Sequence, residues 1–165
     1  MKKGNLTRNN GFSLIELIIV IAIAAILVAI MVPILFKYIE KTNVSSDVQL
    51  ADTVRNAFLC AITDARVLSD PASAPYIADL ESAAGMDADN NSFSVSTCVM
   101  RESVEEILGM PVTQLSTKIK SKHDPNAKFH VNLVNGNVTV TITGTDMTGR
   151  KDTSSSTPNN DIVVD

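Results

Sequence analysis

The sequence has no tryptophan, and aromatic residues make up only 4% of its 165 positions. Histidine and cysteine are scarce too, at two each. His123 and His130 lie in the polar C-terminal part, and Cys60 and Cys98 stand far apart, with none of the Cys/His/carboxylate spacing of a zinc site. No glycine-rich phosphate cradle, no nucleophile beside a base and no acid pair is visible. Asp87, Asp89 and Asn91 superficially resemble the start of a calcium loop, but the glycine and the distal Glu are missing at their required spacing. A chain without these groups is expected to be no enzyme and to hold no metal or cofactor. Positive charge is also thin beyond the first eleven residues. Lys2, Lys3 and Arg8 have no acid among them, and the remainder carries 11 basic against 18 acidic residues, a net of −7. A remainder that acidic argues against nucleic-acid binding, which needs clustered Lys and Arg. Lys118, Lys120, Lys122 and Lys128 form its one basic cluster and read first as a solvated face.

Charge is missing altogether from Leu17 to Phe36. As a helix those residues would extend about 30 Å, the thickness of a bilayer core. Lipid cannot satisfy backbone polar groups, so the segment is expected to be helical. The cations before it predict a cytoplasmic N-terminus, with everything after Phe36 exported. A cleaved secretory signal has a shorter apolar core, and the run continues well past the small residues Ala22-Ile23-Ala24. A soluble core helix is seldom apolar on every side for five turns. A plain uncleaved anchor stays open. Two residues speak against it: Gly11 just ahead of the run, and Glu16 within its first turns. An ionisable side chain costs about 2.5–3.5 kcal/mol in a membrane helix on insertion scales, so it is a functional candidate that needs a partner.

Lys2-Lys3, then Gly11-Phe12-Ser13-Leu14-Ile15-Glu16-Leu17, then unbroken apolar sequence resembles the signal of type IV prepilins. That family includes the major and minor pilins and the pseudopilins of type II secretion and DNA uptake. The resemblance covers Gly11 to about Thr42. It implies cleavage between Gly11 and Phe12 by a prepilin peptidase and methylation of the new Phe12 amine by the same membrane enzyme. It implies that Glu16 pairs with the Phe12 ammonium of a neighbouring subunit, and that Pro33 falls at the family's helix-bending proline. Further implied partners are other pilin subunits, a platform membrane protein, an assembly ATPase and, before assembly, membrane lipid.

Helical periodicity continues beyond the apolar run. Val44, Val48, Ala51, Val54, Phe58, Ala61, Ile62 and Ala65 recur at spacings of three and four. One helix from Phe12 to about Leu68 is predicted, apolar all round at first and amphipathic later, ended by Asp70-Pro71 and Ala74-Pro75. Pro33 should kink or locally unwind it. Short helices are predicted over Tyr76–Ala84, before Gly85, and over Glu102–Leu108, before Gly109, with residues 87–91 a loop between them. Residues 129–134 and 137–143 about Asn135-Gly136 read as a tight hairpin. Its Val138, Val140 and Ile142 face should cover the amphipathic helix. Gly149 to Asn160 reads as a loop and 161–164 as an edge strand. The predicted fold is α+β, a long helical spine on a small antiparallel sheet.

The expected divisions are a leader at 1–11, a membrane or filament-core helix at 12–36 and an amphipathic helix at 37–68. A loop region with short helices follows at 69–128, then the sheet and C-terminal loop at 129–165. In an exported domain a disulfide persists, so a Cys60–Cys98 bridge is expected, with two free thiols as the alternative. The functional expectation is a structural subunit of a pilus or pseudopilus, first a single-pass membrane protein and then part of a filament. The alternative is an unassembled single-span protein with an extracytoplasmic binding or sensing domain.

Overall fold

The computed structural model describes residues 12–89, 91–121, 124–145 and 162–165. Two units divide the chain, one ending at Tyr38 and the other running from Ile39 to Asp165. Helix α1, Leu14–Thr63, contributes residues to both. The expected leader (1–11), His123, Lys122 and the loop at 149–160 lie outside the described residues.

In the first unit every described residue is exposed, and most of them are Leu, Ile, Val, Ala or Met. The hydrogen bonds of a helix are internal, so such a segment can lose water without orphaning its backbone. Its large apolar side chains are exposed among the described residues.

In the second unit α1 becomes amphipathic. Val44, Asp47, Ala51, Val54, Ala57, Phe58 and Ala61 are buried along one side, at the three- and four-residue steps that return to one helix face. Val48 and Ile62 are partly buried against this core, whereas Ala65 is exposed. Asp64 ends the helix earlier than Leu68. Its backbone is extended (φ −73°, ψ 124°), and its carboxylate accepts the Arg66 N–H to cap a single turn, α2, Ala65–Leu68. An Asp that bonds its own neighbouring backbone competes with helix continuation. The Arg66 guanidinium on the same carboxylate holds it below its ordinary range.

After the 70–73 turn come α3, Ala74–Glu81, shorter than the predicted 76–84, and then strand β1, Met86–Asp87. The strand takes Asp87 from the expected loop at 87–91, whose residues 88 and 89 are a turn and whose Asn91 opens a helical turn. It was hidden because a two-residue strand has no visible alternation, and its pairing partner lies over forty positions away: Met86 with Val131 and Asp87 with His130. Gly85 stands at the approach, with φ +62°, where a Cβ would lie 2.7 Å from the Val131 carbonyl. Only glycine fits both demands. A helical turn, α4 (Asn91–Ser94), leads to α5, Val99–Leu108, which begins three residues before the predicted start and ends at Gly109 with φ 68°. A 3₁₀ turn at Val112–Gln114 runs into α6, Leu115–Lys118.

Strands β2, Phe129–Val134, and β3, Asn137–Ile142, form the predicted hairpin. Asn135 (φ 53°) and Gly136 (φ 78°) both take positive φ, as a type I′ turn requires. Strand β4, Ile162–Val164, pairs antiparallel with β3 and completes a four-stranded sheet ordered β1-β2-β3-β4. Val138, Val140 and Ile142 are fully buried and share a core with Val54 and Phe58 of α1, while Thr139 and Thr141 are half-exposed. The Phe93 ring is the aromatic centre, 5.9 Å from Phe58 and 5.2 Å from Tyr76 between centroids.

Three polar ties hold these elements together. The fully buried Asp47 carboxylate accepts the backbone N–H groups of Lys120 (3.0 Å) and Ser121 (2.7 Å), and the Ser121 hydroxyl. Arg55 donates from Nε to the Val138 carbonyl (2.8 Å) and from Nη2 to Asn137 Oδ1 (3.0 Å). The third tie caps α5. Val99 N–H donates to Asp70 Oδ2, Met100 N–H to the buried Ser73 hydroxyl, Arg101 N–H to Cys98 Sγ, and Glu102 N–H to the Cys98 carbonyl. The first three N–H groups of α5 are thereby met by side chains, and the Glu102 bond opens the helix's own ladder. Ser73 Oγ also donates to Asp70 Oδ2 at 2.6 Å. The bonds from Ser73 and then Val99 hold the Asp70 carboxyl below its ordinary range.

Two outcomes are expected of the full chain in detergent. Asp47→Asn keeps the shape but turns one acceptor into a donor facing N–H groups. It should lower unfolding stability by about 1–3 kcal/mol in denaturant melts. Asp70 has a lowered folded-state pKa, so its contribution is complete above the ordinary value of 3.8 and lost as pH falls through the folded value. The gap in melting temperature between wild type and Asp70→Asn should therefore be present at pH 7 and close in strongly acid solution.

Candidate assembly site at the N-terminal helix

Phe12 and Ser13 lead into α1 in non-helical conformation, and Phe12 is 86% exposed. Glu16 occupies the first turn of the helix. Its Oε2 accepts the backbone N–H of Ser13 at 2.9 Å. Ser13-Leu14-Ile15-Glu16 thus forms the return half of a capping box, in which an acid at the third helical position reaches back to the residue that caps the helix. The positive end of the helix dipole favours the same placement. Around it Leu14, Ile15, Leu17 and Ile18 are exposed, so the site is a carboxylate in an apolar surround. One carboxylate oxygen has this local partner. The remaining acceptor capacity suits a cation, because a carboxylate in low dielectric is stabilised mainly by an opposite charge and further hydrogen bonds.

The sequence around this site matches the family model described as the prokaryotic N-terminal methylation motif, over residues 6–32. Two curated proteins, both described as type IV major fimbrial protein FimA, one from Dichelobacter nodosus strain VCS1703A and one from Dichelobacter nodosus, are each 45% identical over 65 residues. In its N-terminal part the chain is similar to type IV pilins. The aligned part is 38% of this chain, which spans only 40% of each relative's length. No solved structure matches it significantly.

The other residues singled out in the sequence are scattered. Gly11 lies outside the described residues. Pro33 sits within α1, and helical structure continues through it without local unwinding. With no N–H on Pro33, the Ala29 carbonyl lacks its usual helical donor. Lys118 and Lys120 are exposed, the latter donating to Ser46 Oγ, while Lys128 lies 3.4 Å from Asp87 Oδ2. His130 Nδ1 lies 3.0 Å from Asp87 Oδ1 across the β1–β2 pairing. Among the described residues no group of three His, Cys, Asp or Glu is placed to hold a metal.

The expected Cys60–Cys98 bridge is absent, and both thiols are free. Cys60 points outward from α1. Cys98 is buried as the N-cap of α5, with its sulfur on the Arg101 N–H and 3.1 Å from Ser96 Oγ. Sequence reasoning assigned Cys98 no local task because capping by a thiol has no sequence signature. It also missed Asp47, Asp70 and Ser73, whose partners are distant in the chain. The 44–47–51–54 spacing was the one available hint for Asp47.

Accessibility governs thiol reactivity. In native chain, Cys60 should react with an alkylating reagent while Cys98 reacts only after denaturation, as read by mass spectrometry of the cysteine peptides.

Proposed function

We propose that this chain is a structural subunit of a type IV pilus or pseudopilus. A peptidase cuts it between Gly11 and Phe12 and methylates the Phe12 amine, the apolar helix anchors it in the membrane, and the same helix then packs into a filament. The observation that carries this reading is the wholly exposed apolar stretch of α1 with one carboxylate, Glu16, at its start. In the bilayer, lipid covers the stretch. In a filament, the helices of neighbouring subunits cover it.

Glu16 would then exchange or supplement its bond to Ser13 with the Phe12 ammonium of the next subunit. That pairing stabilises one register, since a shifted neighbour leaves a charge unpaired in low dielectric. A kink at Pro33 would let the helix reshape between bilayer and filament. The partners are the peptidase and methyltransferase, other pilin subunits, a platform membrane protein and an assembly ATPase. The head lies on the extracytoplasmic side. An unassembled single-span receptor remains the competing reading, and it would retain residues 1–11.

Glu16→Gln separates the two roles of the carboxylate, since an amide oxygen still accepts from Ser13 but bears no charge. Wild type, Glu16→Gln and Glu16→Ala are compared by mass spectrometry of N-terminal peptides from membranes and sheared surface material. Wild type should begin at methylated Phe12 in both fractions. Both variants should be processed in membranes yet depleted from the sheared fraction. Normal yield of Glu16→Gln would leave only the capping role, and an intact leader in wild type would favour the receptor reading.

A further inference from the structure

We propose that Asn135 is a site of spontaneous deamidation whose rate is set by the Arg55 clamp on the hairpin tip. Asn135 is exposed and is followed by Gly136, around which a Cβ would meet no atom within 4 Å. Among the described asparagines it alone precedes a glycine. The ladder closes at Val134–Asn137, so the Gly136 N–H lies outside it. In the reaction the Gly136 nitrogen bonds to Asn135 Cγ and the Cγ–Nδ2 bond breaks. Ammonia leaves with the proton that the Gly136 nitrogen gives up. Water then opens the resulting five-membered imide at either carbonyl, giving Asp or isoaspartate, with no change of oxidation state.

The type I′ turn itself opposes this attack, because the closed turn does not aim the Gly136 nitrogen at Cγ. Opening of the tip is therefore the controlling step, and the topology makes that tip weak. Strand β1 pairs only with His130 and Val131, and β4 only with Val140 to Ile142. Among the described residues, 132–134 and 137–139 gain no third strand, and only Val138 and, in part, Leu133 anchor this two-stranded end in the core, while Val134 to Asn137 are exposed. Arg55 is the added restraint, holding the Val138 carbonyl and the Asn137 side chain from α1. Conversion to isoaspartate lengthens the backbone in the turn and adds a negative charge to an already acidic chain. The product is an irreversible, time-dependent mark at the edge of the domain, independent of whether the chain assembles.

The test follows Asn135 by peptide mapping in full-length chain held in detergent at mildly alkaline pH, beside the same chain in denaturant and beside Arg55→Gln. Circular dichroism and an unchanged native reactivity pattern at Cys98 verify that the variant is folded. A second variant, Arg55→Lys, serves if Arg55→Gln is not. In native wild type, Asn135 should convert before the other asparagines of the second unit, and slower than in denaturant. Weakening the clamp should accelerate it about fivefold, the factor for one lost hydrogen bond. Asn135 intact over the period in which denatured chain converts fully would overturn the site. Equal rates in wild type and a folded Arg55 variant would overturn the clamp.

Discussion

The constraint on which everything else depends is that α1 must cover two unlike surfaces with one continuous helix. From Leu17 to Phe36 its side chains are uncharged and are exposed among the described residues. At roughly 25 cal/mol per Å² of apolar surface, water is a poor environment for that stretch. Beyond Ile39 only one face is apolar, and it is fully used by the chain's own core. The first stretch therefore presents apolar surface that water solvates poorly, while the second dictates where the sheet packs.

Polar groups then decide how the core is pinned. Asp47 lies on the apolar side of α1, where an unpaired carboxylate would be costly, and it is stabilised there by two backbone amides and a hydroxyl from residues 120–121. Arg55 does the same for the β3 end of the hairpin. Asp70 and Ser73 complete the start of α5 from nearly thirty residues away. These ties join the loop-rich middle of the chain to the helix and sheet, and they explain why Cys98 is used as a cap within the protein.

The N-terminal site has a simpler logic. Glu16 is placed at a helix start, where backbone N–H groups and the dipole already favour a negative charge. Its bond to Ser13 lowers the cost of carrying a carboxylate into an apolar environment without saturating the group. A residue positioned this way is tolerated in the single chain and keeps acceptor capacity for a cation, as the proposed assembly would require.

Much of this was legible in order of locality. The apolar run, the amphipathic continuation, the Asn135-Gly136 hairpin, the edge strand and the Gly109 helix end depend on residues within a few positions of one another, so composition, period and turn chemistry determine them. The basic, glycine-ended start and Glu16 likewise carried the resemblance to type IV prepilins. What only the tertiary structure decided involves partners far apart: β1 against β2, Asp47 against residue 121, Asp70 and Ser73 against α5, and the separate fates of Cys60 and Cys98. A sequence displays local periodicity directly, but a buried polar group or a two-residue strand is stabilised only by the particular distant atoms that folding brings to it.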